Sequence, residues 1–223
     1  MNKRVVVISG ATGGLGQLVA QAFAKQGASL ALLGTNPDKL AALAQNLALP
    51  AARLLTYAAD LLDAKQVRAS GEAVRAHFGR VDVLIHLVGG WTGGKTIAET
   101  GLDDFEFMLN QHAWTTIHLL QTYTPDLAAN GWGRVIAVTS PLATHPTAKM
   151  GAYALGKAAQ ETLLMTLADQ FQGSGVTANV IQVKAIDIKG SGKGTSPAEI
   201  IAAMQYLCSD EAAQVNATRL PLF

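Results

Sequence analysis

Seven short runs of apolar and β-branched residues recur along this chain, and longer stretches of helix-forming composition separate them. The runs cover residues 4–9, 29–33, 53–58, 81–88, 134–139, 176–182 and 218–222. The first, Arg4-Val-Val-Val-Ile-Ser9, carries no polar alternation, and a strand of that kind is buried on both faces, as in a parallel sheet. The intervening composition predicts helices over 17–26, from Asn36-Pro37 onward, and over 63–77, 103–127, 150–172 and 197–208. Asn36 suits an N-cap and Pro37 the first helical position. Strict alternation of this sort leaves few solutions, because parallel neighbours need crossovers, and right-handed crossovers put helices on both faces of the sheet. The expectation is an α/β chain with a doubly wound parallel sheet of about seven strands.

The 223 residues, 49% of them apolar and 15% charged, suffice for one continuous core, so a single domain over 1–223 is expected. A formal charge of +1 leaves no electrostatic footprint for nucleic acid or an anionic membrane. No apolar run approaches the roughly 20 residues that span a bilayer. Lys3 and Arg4 precede an apolar segment, but Gly10 and Thr12 interrupt it, which reads as a first strand rather than a signal peptide, with a cytoplasmic location expected. Cys208 is the only cysteine, so neither a disulfide framework nor a clustered metal site is expected.

Chemistry concentrates in two places. Between the first strand and the first helix lies Gly10-Ala-Thr-Gly-Gly14-Leu-Gly16, a turn whose glycines allow a pyrophosphate to approach the free N–H groups of a helix start. Far along the chain, Tyr153 and Lys157 share one helical face at i and i+4. An ammonium beside a phenol favours phenolate, so the Tyr153 pKa is expected to fall, making it a candidate general acid/base. Ser140 closes the run 134–139 and so stands at a strand's carboxyl end, where open α/β sheets build their sites. Taken alone, Tyr153 and Lys157 also fit an ordinary exposed helix pair.

With these parts in place the chain resembles the short-chain dehydrogenase/reductase family, of classical type, over nearly its whole length. The family's Thr-Gly-x-x-x-Gly-x-Gly turn appears as Ser9-Gly10-Ala-Thr-Gly-Gly14-Leu-Gly16, with Ser for Thr. Its Ser, Tyr and Lys fall on Ser140, Tyr153 and Lys157, with Ser and Tyr thirteen residues apart as in the family. The resemblance implies a Rossmann-type fold and hydride transfer between a nicotinamide and a carbonyl or alcohol carbon. Tyr153 would move the proton, Ser140 would hydrogen-bond the substrate oxygen, and Lys157 would hold the ribose and lower the Tyr153 pKa. It also implies a cofactor surface of Gly10, Thr12, Gly14, Leu15, Gly16, Asp60, Leu61, Val88 and Gly89, with Asp60 on the adenine side. Relatives pair through their fourth and fifth helices, here 103–127 and 150–172, which implies a homodimer or homotetramer with Ala158, Ala159, Leu163 and Leu164 suited to the contact, although some of them must also face the sheet.

The departures from the family pattern are specific. Asn-Asn-Ala-Gly is replaced by His86-Leu87-Val88-Gly89, so the side-chain bonds of the two Asn are expected to be lost. The helical Asn that supports a water leading to the Lys aligns with His112, read either as its catalytic replacement or as a buried histidine bonded to backbone. Val183-Lys184 replaces Pro-Gly. The Gly- and Ser-rich stretch that follows is short for a substrate lid and reads as a mobile loop. At the end of the second strand the sequence is Gly34-Thr35-Asn36. Without an acid to repel a 2′-phosphate, and with Thr35 available to bond one, NADP(H) is favoured over NAD(H). Trp91, His145 and Met150 are expected to line a mixed aromatic and polar pocket for a small-molecule carbonyl or alcohol.

Two other readings stand beside this one. Gly89-Gly-Trp-Thr-Gly-Gly94-Lys95-Thr96 matches G-x-x-x-x-G-K-[ST], the phosphate loop of NTPases. Against it, no long helix is predicted to start at Thr96, and the run 134–139 does not end in an acid for magnesium. The altered Asn and Pro-Gly elements also fit a dinucleotide-binding regulatory protein without turnover, although such a protein has no chemical reason to keep Ser140, Tyr153 and Lys157.

Overall fold

The computed structural model describes residue 1 and residues 4–223, so Lys3 lies outside the described residues. The strands are β1 (Val5–Ser9), β2 (Ser29–Gly34), β3 (Leu54–Ala58), β4 (Val83–His86), β5 (Gly133–Thr139), β6 (Val176–Gln182) and β7 (Arg219–Pro221). They form one sheet in the order β3-β2-β1-β4-β5-β6-β7, with every pair parallel. Strand order reverses between β1 and β4, which opens a crevice at their carboxyl ends. β4 is shorter than the run 81–88 suggests, but single ladder bonds continue from it, Asp82 N–H to the Val5 carbonyl and Leu87 N–H to the Ser9 carbonyl.

The unalternating strands are buried on both faces because each face has its own helical layer. Val6 and Ile8 of β1 pack with Val19 and Phe23 of α1 (Gly14–Lys25), Leu40 of α2 (Pro37–Leu47) and Met204 of α7 (Pro197–Leu207). Val5 and Val7 pack on the other side with Val74 of α3 (Ala64–Phe78), Tyr123 of α5 (Thr115–Ala129) and Leu164 of α6 (Gly151–Gln170). Leu164 is therefore sheet-facing core rather than a subunit contact, whereas Leu155 of the same helix is exposed. The N-cap reading of α2 holds, with the Asn36 carboxamide accepting from Lys39 N–H at 2.9 Å. No helix among the described residues is long and apolar enough to cross a membrane.

One long helix was expected over 103–127. Instead α4 (Leu102–Leu109) passes into a π turn at Asn110–Trp114 before α5 begins. The hydroxyls of Thr115 and Thr116 donate back to the Gln111 and His112 carbonyls at 2.8 and 2.5 Å, binding carbonyls that the wider turn loosens. The π turn packs against α6 at a glycine. A Cβ on Gly156 would lie 2.8 Å from the Met108 carbonyl oxygen and 3.0 Å from the His112 ring, so only glycine lets the two segments meet this closely.

At the far side of α6, buried Glu161 gathers three strand ends. It accepts from Thr139 Oγ1 of β5 at 2.7 Å, Gln182 Nε2 of β6 at 2.9 Å and Arg219 Nε of β7 at 2.6 Å. Removing the cation leaves a buried carboxylate with only neutral donors. Arg219→Ala is expected to cost about 2 kcal/mol, the scale of a hydrogen bond to a charged group, measured by urea unfolding. The cost should shrink when Glu161→Gln is already present.

Candidate active site

At the carboxyl ends of β1, β4, β5 and β6 lies a cavity of about 610 Å³. Its lining includes Gly10, Gly14, Leu15, Gly16, Val88, Gly89, Trp91, His112, Tyr153 and Lys157. One wall is the glycine turn. Gly13 caps α1 without a side-chain bond, leaving first-turn N–H groups for an anion. A Cβ on Gly16 would sit 2.2 Å from the Gly10 carbonyl oxygen, so the helix can start this close to the turn only with glycine there. An uncapped helix start beside a cavity of this size fits a dinucleotide pyrophosphate.

The other sequence-derived cofactor positions stand outside the cavity lining. The Thr12 side chain lies against Gly34 at the end of β2. Thr35 is exposed, and Asn36 spends its carbonyl on the α2 cap. Asp60 accepts from Leu62 N–H at 2.9 Å, and the Leu61 carbonyl is held by His118 Nδ1–H at 2.8 Å.

Ser140 follows β5 as the N-cap of a short 3-10 turn, Pro141–Ala143, and is 2% exposed. Its hydroxyl accepts from Leu142 N–H at 3.3 Å and lies beside the Tyr153 phenol. Burial raises the Tyr153 pKa, with the nearby Ser140 hydroxyl opposing the rise. This corrects the expectation that Lys157 lowers it. The Lys157 ammonium is directed instead to the Val138 carbonyl at 2.9 Å and Gln160 Oε1 at 3.0 Å. Burial brings Lys157 itself down to about 7, with the Glu161 carboxylate opposing, so at neutral pH it holds its charge only in part.

Two histidines frame this cluster. His112, in the π turn, is fully buried and makes an edge-to-face contact with Tyr153 at 5.8 Å between centroids. Its Nε2–H donates to the Gly90 carbonyl at 3.0 Å, which fixes the tautomer and leaves Nδ1 as a buried acceptor without a partner among the described residues. That nitrogen and the Lys157 ammonium lie 3.6 and 3.9 Å from the point where a Cβ of Gly89 would stand. The backbone-bonded reading of His112 thus holds for one nitrogen, while the other faces the cluster. His86 ends β4. Its Nδ1 bonds Ser9 Oγ at 2.8 Å and its Nε2 reaches Thr115 Oγ1 at 3.4 Å. Because the Thr115 hydroxyl donates to Gln111, it accepts from Nε2–H, and Ser9 donates to Nδ1. The side-chain bonds expected to be lost with the first Asn are therefore replaced by a Ser9–His86–Thr115 chain between the end of β1 and the start of α5. Both imidazoles are pushed down to about 3, by burial first and the Lys157 charge second.

The loop after β4 forms the outer wall. Trp91 stands at the cavity edge, 63% exposed. Gly94 N–H donates to the Lys149 carbonyl at 2.7 Å, and the Met150 sulfur packs against Gly93, tying this loop to the start of α6. Met150 and His145 do not line the cavity, and the His145 ring is exposed with Nδ1 2.9 Å from Thr144 Oγ1. The phosphate-loop reading fails locally. Lys95 pairs with Asp104 at 3.0 Å, Thr96 is bonded to the Glu99 carboxylate, and no helix starts at Thr96.

Beyond β6, Lys184 lines the cavity and lies over the Phe223 ring at 4.8 Å. The Gly- and Ser-rich loop is more tied than its composition suggests, because the Asp187 carboxylate accepts from Ser191 and Gly192. Ile188 from this loop packs over Gly14. Gln160 and the His86 chain were not picked out from sequence. A polar residue three after Lys157 shares its helical face, and that was the available signal for Gln160. A second cavity of about 610 Å³ opens at the opposite end of the sheet near Trp132, Arg134 and Thr177, away from this cluster.

Comparison with known proteins agrees with this geometry. The family model for short chain dehydrogenases matches residues 4–196. D-threitol dehydrogenase of Mycolicibacterium smegmatis is 29% identical over 99% of this chain and 91% of its own length. A short-chain type dehydrogenase/reductase from Mycobacterium ulcerans has the same fold, with a TM-score of 0.91 at 23% identity, covering 100% of this chain and 89% of that one. An NAD+-bound xylitol dehydrogenase also superposes, with a TM-score of 0.89 at 19% identity over 99% and 98% of the two chains.

The histidine environment makes an acid-stability prediction. Each folded value near 3 lies below the ordinary histidine value of 6.5, so between these limits the unfolded chain binds more protons. The stabilisation is fully present above about 6.5 and is lost as pH falls toward 3, at up to about 1.4 kcal/mol per pH unit for each ring. His86→Asn should flatten the loss of stability between pH 6.5 and 4.5 in urea unfolding relative to the unaltered protein.

Proposed function

Because the chain belongs to the short chain dehydrogenase family and is an oxidoreductase, we propose that it moves a hydride between NADP(H) and a carbonyl or alcohol carbon of a small molecule, with Tyr153, Ser140 and Lys157 as its working groups. The observation that carries this reading is their convergence on one cavity region. Tyr153 and Lys157 line the cavity that also contains the uncapped glycine turn, and the Ser140 hydroxyl lies beside the phenol. The bound nicotinamide supplies or accepts the hydride.

The chain's own groups manage position and protons. Burial keeps Tyr153 protonated at neutral pH, which suits it to donate to the oxygen of a carbonyl under reduction and to recover that proton in the reverse direction. Ser140 orients the same oxygen and stabilises its developing charge. Lys157 has two of its three N–H groups engaged, and the third is free to hold the ribose hydroxyls. NADP(H) is favoured because the end of β2 offers exposed Thr35 and Asn36 and no acid. A homodimer or homotetramer through α4, α5 and α6 is supported by the exposure of Phe107 on α4, Trp114 in the π turn and Leu155 on α6.

Titration of the cofactor-stripped protein with NADPH, NADH and Mg-ATP should show NADPH binding tightest and ATP inert. Tyr153→Phe should lower carbonyl reduction by about 10³-fold while leaving NADPH affinity unchanged. Failure of both dinucleotides to bind would sink the reading, and binding without turnover on any carbonyl would make the chain a dinucleotide-binding protein.

A further inference from the structure

Lys157 has one side-chain hydrogen-bond partner among the described residues, Gln160. Gln160 lies three residues further along α6 and is 0% exposed. A buried carboxamide is costly unless both of its ends are bonded, and here both are. Oε1 accepts from the Lys157 ammonium at 3.0 Å, and Nε2 donates to Thr116 Oγ1 at 3.3 Å. The orientation of the amide is not arbitrary, because an ammonium only donates and therefore requires the oxygen. The Thr116 hydroxyl in turn donates to the His112 carbonyl at 2.5 Å. A continuous chain of side chains thus links the ammonium on the cavity wall to the backbone of the π turn that carries the His112 ring.

We propose that Gln160 is a positioning residue for the reaction, holding the Lys157 ammonium in place and favouring its charged form through the chain to Thr116 and His112. This rests on the reading of Lys157 as the group that serves the cofactor ribose and the Tyr153 proton. The Val138 carbonyl also accepts from the ammonium, at 2.9 Å, and Glu161 opposes its loss of charge, but among the described residues Gln160 is the side chain hydrogen-bonded to it. On its own helix are Tyr153, beside Ser140, and Glu161, whose carboxylate is shared among Thr139, Gln182 and Arg219. From the π turn comes His112 and from β4 His86, and both rings disfavour a nearby cation when charged. A charge-assisted bond is stronger to the ammonium than to the neutral amine, so a buried lysine poised near neutrality responds sharply to losing it.

The test uses two near-isosteric variants. Gln160→Met removes the acceptor while keeping the volume, and Gln160→Glu replaces it with a charged one. Lys157 is titrated in the cofactor-free protein by NMR of isotopically labelled lysine, assigned with Lys157→Arg, and the pH profile of kcat/KM for carbonyl reduction is recorded alongside. Gln160→Met should lower the Lys157 midpoint by about one pH unit and Gln160→Glu should raise it by at least as much. The alkaline limb of the profile should move in the same directions. A merely structural role would lower activity at every pH without moving either midpoint. Unshifted midpoints in folded variants, with turnover intact, would overturn the coupling and leave the hydride-transfer reading standing. Shifted midpoints in a protein without turnover on either dinucleotide would support the coupling and overturn that reading.

Discussion

An ammonium that is 6% exposed is an expensive thing to fold around. Lys157 is such a group, and much of the site can be understood as the arrangement that makes its burial tolerable. The Val138 carbonyl and the Gln160 carboxamide take two of its three protons. Glu161, one helical turn further on, supplies the opposing charge. The two nearby imidazoles are neutral, so no second cation competes for the same small volume. Even so, burial wins by enough to bring the lysine down to about 7, so its charge is held by a narrow margin.

That arrangement depends on backbone proximity that only small residues permit. Gly156 lets α6 approach the π turn, and Gly16 lets α1 start against the glycine turn. The reversal of strand order between β1 and β4 places both approaches on one crevice. Glu161 then joins the site to the sheet's far edge, because Thr139, Gln182 and Arg219 belong to three neighbouring strands. The group that balances Lys157 is thus also a clamp on the strand ends from which the site is built.

The histidines show how a departure from a family pattern is absorbed. His86 stands where an Asn is usual, and its two nitrogens carry a bond to Ser9 at the end of β1 and another to Thr115 at the start of α5. An imidazole spans a longer gap than a carboxamide, and because the Thr115 hydroxyl already donates to Gln111, Nε2 bears the proton and Ser9 donates to Nδ1. His112 has one nitrogen fixed by the Gly90 carbonyl and the other directed toward the cluster. Neither ring acts as a cation near neutral pH, so their contribution there is hydrogen bonding and shape.

The strand and helix order, the parallel sheet, the glycine turn and the Ser140, Tyr153 and Lys157 set were all legible in the sequence, because each is written in local composition or in residue types at short fixed spacings. The N-cap at Asn36 and the unalternating strands belong to the same class. Tertiary structure alone decided the π turn, the direction of the Tyr153 shift, the chain through Gln160 and Thr116, and the replacement of an Asn by His86. Leu164 facing the sheet and His145 lying outside the cavity are smaller cases of the same kind. These outcomes turn on which groups lose their water and which atoms meet across separate elements. Desolvation and hydrogen-bond partnership are properties of the packed interior, and no spacing along the chain encodes them.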